Sequence, residues 1–185
     1  MSTVDLSVNI GSLKLRNPIL LASGTVGYGN EISEFTDLNK IGGIITKSLS
    51  LKPRKGNPPQ RIVETPAGML NAIGLTNVGV EVFLKEKIPF LKQYDVPIIC
   101  NIAASSIDEY VECTKILTSE ETIKAFEINV SCPNVTEGGL EFGNNIKALS
   151  IITEKVRAET DKPIIIKLSP NVSYIASFVK AAKEN

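Results

Sequence analysis

The stretch "AFEINVSCPNV" (residues 125–135) sets the terms for the rest of the chain. A short, mostly apolar run reaches Asn129 and gives way to Cys132, which is followed by Pro133 and Asn134. Apolar runs of this length mark strands buried on both faces in a parallel sheet. A polar residue where such a run stops lies at the carboxyl edge of the sheet, where α/β proteins bind ligands. The pattern recurs along the chain. "PILLAS" (18–23) ends at Ser23, "GGIITKS" (42–48) carries Lys47, "VPIICNI" (96–102) carries Asn101 and "KPIIIKLSP" (162–170) carries Lys167. One polar strand end is only a strand end. Five, two of them lysines, point to a site.

Helical patterns alternate with these strands. They cover residues 31–38 (a polar helix), 80–94 (Val82, Phe83, Phe90 and Leu91 at helical spacing), 107–117 (capped by Ser106), 145–159 and 173–183. Ahead of them, "VDLSVNIGSLKLRNP" alternates around Asn9-Ile10-Gly11 and reads as a small hairpin. Residues 49–77, rich in Pro and Gly, read as a long loop. The β-α alternation fits either a doubly wound open sheet or a (β/α)8 TIM barrel. A barrel typically needs about 250 residues, and five units are visible in 185. The expectation is a single α/β domain over residues 1–185, a barrel truncated after about five units behind an N-terminal β-hairpin. The complete doubly wound sheet stays open as the other reading.

Composition narrows the chemistry. Twenty basic and 20 acidic residues cancel, which gives no electrostatic attraction to nucleic acid or anionic membranes. No apolar stretch is long enough to cross a bilayer, and "MSTVDLSVNI" lacks the pattern of a secretory signal. The three cysteines are odd in number and have no CxxC spacing, so neither a disulfide framework nor a structural zinc site is expected, and the expected compartment is the reducing cytoplasm. There is no histidine. Proton transfer therefore falls to Cys, Lys, Tyr or a carboxylate. Cys100 adjoins Asn101 and so points to the opposite face of its strand, and Cys113 sits mid-helix between Val111 and Leu117. Both read as buried. Cys132, in a polar loop at a strand end, is the candidate reactive thiol.

Four segments, "NVSCPN" (129–134), "TKS" (46–48), "GNPPQRIVETPAGMLNAIGLTN" (56–77) and "IIIKLSPN" (164–171), together resemble class 1 dihydroorotate dehydrogenases. The wording "ETPAGMLNAIGL" is most similar to the NAD-linked subclass 1B. The resemblance implies an FMN-dependent barrel that oxidises dihydroorotate to orotate in de novo pyrimidine (UMP) biosynthesis, with Cys132 as the base. It implies flavin contacts from Ser23, Lys47, Ser48, Asn101, Asn129 and Lys167. The substrate would be held by Lys47, Asn71, Ala72, Ile73, Gly74, Leu75, Asn129 and Asn134. It further implies a homodimer of catalytic subunits, associated with an electron-transfer subunit that carries FAD and a 2Fe–2S cluster and reduces NAD+. Form 1A, a homodimer using fumarate, is the alternative within the family. Two readings stand beside it: a dihydropyrimidine dehydrogenase-like flavoenzyme, and a non-catalytic fragment of such an enzyme. The stretch "TEGGLEFG" (136–143) reads equally as a mobile lid or as a plain connection.

Overall fold

The computed structural model describes residues 4–131, 136–137 and 140–184. Cys132 and Asn134, and part of the glycine-rich stretch after them, lie outside the described residues.

The expected hairpin opens the fold. Strands β1 (Val8–Ile10) and β2 (Leu13–Leu15) pair antiparallel across a turn at Gly11. Next come β3 (Leu20–Leu21) and β4 (Gly43–Ile45), which are parallel neighbours. Their connection is tight at Gly42, where a Cβ would lie 2.0 Å from the Asn17 carbonyl oxygen, so only glycine fits. A second hairpin follows, β5 (Ile62–Thr65) with β6 (Gly68–Asn71). The helical stretches α1 (Gly79–Val82) and α2 (Ile88–Leu91) flank a π-turn, Phe83–Lys87. The remaining units are β7 (Ile98–Ile102) with α3 (Ile107–Thr118), β8 (Ile123–Asn129) with the short pair β9 (Thr136–Glu137) and β10 (Leu140–Glu141) and then α4 (Ile146–Ala158), and β11 (Ile164–Lys167) with α5 (Ile175–Glu184). Both long helices start on side-chain caps. Ser106 Oγ accepts from Glu109 N at 3.1 Å, and Asn145 Oδ1 accepts from Ala148 N at 3.0 Å.

Strand order decides between the two architectures. The parallel sheet runs β3-β4-β7-β8-β11, each new strand added beside the last. A doubly wound sheet must reverse direction at a switch point, and this one never does. Right-handed crossovers in one direction place every helix on the same face, and the sheet curls as the first five strands of a (β/α)8 barrel. The two faces carry separate cores. Outside, Ile98, Cys100, Ile102, Phe126 and Ile128 pack against the helices. Inside, Ile45, Ile99 and Ala125 pack against Leu13 and Leu15 of the first hairpin, which plugs the amino-terminal end of the lumen. Each large side chain fully buried this way contributes about 1.5–3 kcal/mol.

Several expectations need correction. Residues 31–36 form successive turns, and the following helix is a single 3-10 turn, Leu38–Lys40. Phe35 is exposed while Ser33 Oγ bonds back to Asn30 O at 2.9 Å; without an apolar stripe the local hydrogen bonds win over a helix. Residues 49–77 are not a plain loop, because they contain the β5–β6 hairpin. Both of its strands are exposed throughout, so no burial pattern marked them. The helix expected over 80–94 is broken by the π-turn. Its buried positions step from Val80 to Phe83, then five residues to Ile88, then to Leu91. The extra residue is absorbed by the wider turn, which keeps one apolar face.

A cavity at the carboxyl edge of the sheet

A cavity of about 650 Å³ opens at the carboxyl edge of the parallel strands, within the usual range for small-molecule sites. Ser23 reaches it from the end of β3, Lys47 and Ser48 from β4, Asn129 from β8 and Lys167 from β11, while Asn71 comes from the β5–β6 hairpin. Four of the five polar strand ends read from the sequence thus share one space. The alternation of β8 and β11 explains the pairing, since Asn129 and Lys167 are direct neighbours in the ladder. Among the described residues neither Lys47 nor Lys167 makes an ion pair, so both ammonium groups are left for an anionic or electron-rich ligand. Asn129 is held firmly. Its carbonyl accepts from Tyr110 OH at 2.7 Å and its Oδ1 from Ser131 Oγ at 2.6 Å. Ser131 is the last described residue before Cys132, and three residues of chain from Asn129 reach at most about 11 Å.

The strap after the hairpin forms one wall. Asn71, Ile73 and Leu75 line the cavity, whereas Ala72 and Gly74, also expected on the substrate, do not. Ala72 is turned to the loop, its carbonyl accepting from Asn57 Nδ2 at 2.9 Å. Gly74 has φ 76°, and a Cβ there would lie 2.6 Å from Asn57 N, so its role is close backbone approach. The strap is anchored by Asn77, whose Oδ1 accepts from Gly79 N at 2.9 Å and whose Nδ2 donates to Ser50 Oγ at 2.8 Å. A second anchor is the half-buried pair Arg54–Glu109 at 3.3 Å, with Glu109 also accepting from Leu51 N and Ser105 N. Ile62 and Met69 of the hairpin add apolar lining that the sequence reading missed, since it took the whole segment for a loop.

Asn101 is the exception among the strand ends. It is not the last residue of β7, it does not line the cavity, and it is fully buried. Its Nδ2 donates to the buried Glu127 of β8, its direct partner in the ladder, while its Oδ1 has no hydrogen-bond partner among the described residues. Glu127 was also missed, although a glutamate inside an otherwise apolar strand was visible in "AFEIN". The two described cysteines fill the expected buried places. Burial pushes both the Cys100 and the Cys113 thiol up to about 12, so neither forms a thiolate near neutral pH. No group of His, Cys, Asp or Glu able to hold a metal occurs among the described residues, and no helix among them is long and apolar enough to cross a membrane.

Residues 5–185 match the family model described as dihydroorotate dehydrogenase. Similar curated proteins include the dihydroorotate dehydrogenase B (NAD(+)) catalytic subunit of Geotalea daltonii, 51% identical over 181 residues, which cover 98% of this chain and 59% of the relative. The protein of the same name from Geobacter sulfurreducens is 50% identical over 184 residues, covering 100% of this chain and 60% of the relative. The one from Thermodesulfovibrio yellowstonii is 50% identical over 179 residues, covering 97% and 59%. The chain thus spans about three-fifths of the length of these relatives.

Proposed function

The chain belongs to the dihydroorotate dehydrogenase family, and from that premise we propose that the full-length protein oxidises dihydroorotate to orotate with FMN, in de novo pyrimidine biosynthesis. The observation that carries this reading is the cavity where Lys47, Asn71, Asn129 and Lys167 converge at the carboxyl edge of the strands. A planar ring bearing carbonyls, N–H groups and a carboxylate matches a cavity lined by both amides and ammonium groups.

The residues fit FMN. Lys47 and Lys167, without an ion pair among the described residues, suit an electron-rich ring system, and the buried Oδ1 of Asn101 lacks a donor among the described residues, as an acceptor meant for a ligand N–H would. Ser23, Lys47, Ser48, Asn129 and Lys167 hold the ring, with Asn101 behind them. When bound, FMN supplies the hydride acceptor. The chain's own residues do the rest. Asn71, Ile73 and Leu75 close over the substrate with Lys47 and Asn129, and Asn134 adds a further contact. Cys132 takes the proton from the ring carbon adjacent to the one that loses hydride. An ordinary thiol has a pKa near 8.5, and a cation beside it would favour the thiolate. With Cys100 and Cys113 held as neutral thiols by burial, Cys132 is the cysteine left for this role.

The relatives are named as NAD(+)-linked catalytic subunits. On that basis the chain works in the cytoplasm as a homodimer of catalytic subunits, joined to a subunit carrying FAD and a 2Fe–2S cluster that passes electrons to NAD+. The test is to purify the full-length protein and add dihydroorotate without oxygen. The expected result is one FMN per chain, bleached by dihydroorotate, with NAD+ reduced only when the partner subunit is present. A colourless protein, or one whose flavin dihydroorotate leaves oxidised, would overturn the reading. Fast fumarate reduction by the isolated protein would overturn the NAD+ assignment alone.

A further inference from the structure

We propose that Glu127 is a positioning residue of the flavin site, holding the Asn101 carboxamide so that its Oδ1 is presented to the bound ring; this rests on the FMN reading above. The argument begins with the lumen. Ile45, Ile99 and Ala125 form an apolar layer against the first hairpin. One strand repeat further towards the cavity, alternation puts Asn101 of β7 and Glu127 of β8 side by side in the ladder, and one repeat beyond them lies Asn129, which lines the cavity. The pair therefore separates the apolar layer from the ligand space.

A carboxamide is nearly symmetric in shape and can exchange its oxygen and nitrogen by turning over. An ionised carboxylate only accepts hydrogen bonds. Glu127 removes the ambiguity, because Asn101 must offer its Nδ2 to Glu127 and so keeps Oδ1 free. The backbone is fixed as well. Asn101 N donates to Thr46 Oγ1 at 3.2 Å, and its carbonyl accepts from Leu49 N at 2.9 Å. What remains is a fully buried acceptor with no partner among the described residues, an arrangement that natural structures rarely leave unused. A purely structural role accounts poorly for Glu127. Burying a carboxylate is costly, Glu127 makes no ion pair among the described residues, and an apolar side chain would continue the layer below. The cost is accounted for if the carboxylate sets the polarity of the amide.

The experiment measures FMN dissociation constants for the full-length protein and its Glu127→Leu, Glu127→Gln and Asn101→Ala variants, and for Asn101→Ala combined with Glu127→Leu. Thermal midpoints are followed in parallel. Leucine fills the space among apolar neighbours but accepts no hydrogen bond, so Glu127→Leu is expected to weaken FMN binding about tenfold. Glutamine keeps the shape but can donate as well as accept, so Glu127→Gln is expected to bind FMN with an affinity between those of the wild type and Glu127→Leu. In the Asn101→Ala background, Glu127→Leu is expected to cost nothing more, because Glu127 acts through Asn101. Unchanged affinity in Glu127→Leu, or losses that multiply in the double variant, would overturn the role of Glu127 while leaving the FMN reading intact. Wild-type full-length protein that binds no FMN would overturn both.

Discussion

The two faces of the β7–β8 ladder differ by a single residue of register. On the outward face, Cys100, Phe126 and Ile128 are sealed beneath the helices with no exposure. On the lumen face, Asn101 is equally sealed and Glu127 and Asn129 are also buried, at 7% and 6% exposure, yet they carry amides and a carboxylate. Burial alone therefore does not separate core from site here. What separates them is the neighbour across the gap. The outward face meets apolar helix surfaces, where volume and packing decide stability. The upper lumen face borders the cavity lined by Lys47 and Lys167, which make no ion pair among the described residues; there donor and acceptor placement matters more than packing volume. The two described cysteines both belong to the outward side. Both are held neutral by burial, whereas Cys132 follows a lumen-face strand end by three residues.

The largest expected effect that sharpens this contrast is at Cys132. In the full-length protein, Cys132→Ala should slow flavin reduction by dihydroorotate about 10²–10⁴-fold, the usual worth of a positioned base, with FMN binding close to wild type. Cys100→Ala and Cys113→Ala should keep the wild-type rate and lose only stability. Stopped-flow bleaching across pH checks all three, and wild-type kinetics in Cys132→Ala would place the base elsewhere.

A middle-sized effect probes the outer face. Phe126 is fully buried against the helices, so Phe126→Ala should cost about 3–5 kcal/mol in urea unfolding. The FMN dissociation constant of the folded protein should not change. If affinity fell in step with stability, the two faces would not be separable.

The smallest effect is alkaline. Cys100 and Cys113 have thiol pKa values raised from 9.0 to about 12, chiefly by burial. In the unfolded chain these thiols ionise from about pH 9 upward, while in the folded chain they stay neutral. Their contribution is fully present below pH 9 and is lost as the pH rises towards 12. Thermal midpoints should fall across that window, and a Cys100→Val, Cys113→Val double variant should flatten the fall. An identical slope in that variant would assign it to other groups, with Tyr28, raised from 10.0 to about 12 mainly by burial, next in line.

Much of the site could be read one strand at a time. A polar residue that closes an apolar run marks a sheet edge, and Ser23, Lys47, Asn129 and Lys167 were all visible this way; Asn101, one residue short of the end of β7, was not separable from them by this signal. The cap at Ser106 is equally local. Segments that bury nothing were not legible. The β5–β6 hairpin lies exposed along both strands, so Ile62 and Met69 carried no periodic signature, although both line the cavity.

The β-α alternation, the polar strand ends and the absence of any histidine depend on residue type and short spacing alone, and so could be read without coordinates. They left barrel and doubly wound sheet both open. A strand order that never reverses separates the two, and it had to be seen in three dimensions, since pairing partners far apart in sequence leave no local trace. The same holds for Asn101. Its side chain reads as a strand end, but the ladder sets it opposite Glu127 and beneath the cavity floor. Which of its two polar atoms is left without a partner among the described residues depends on a neighbour 26 residues away.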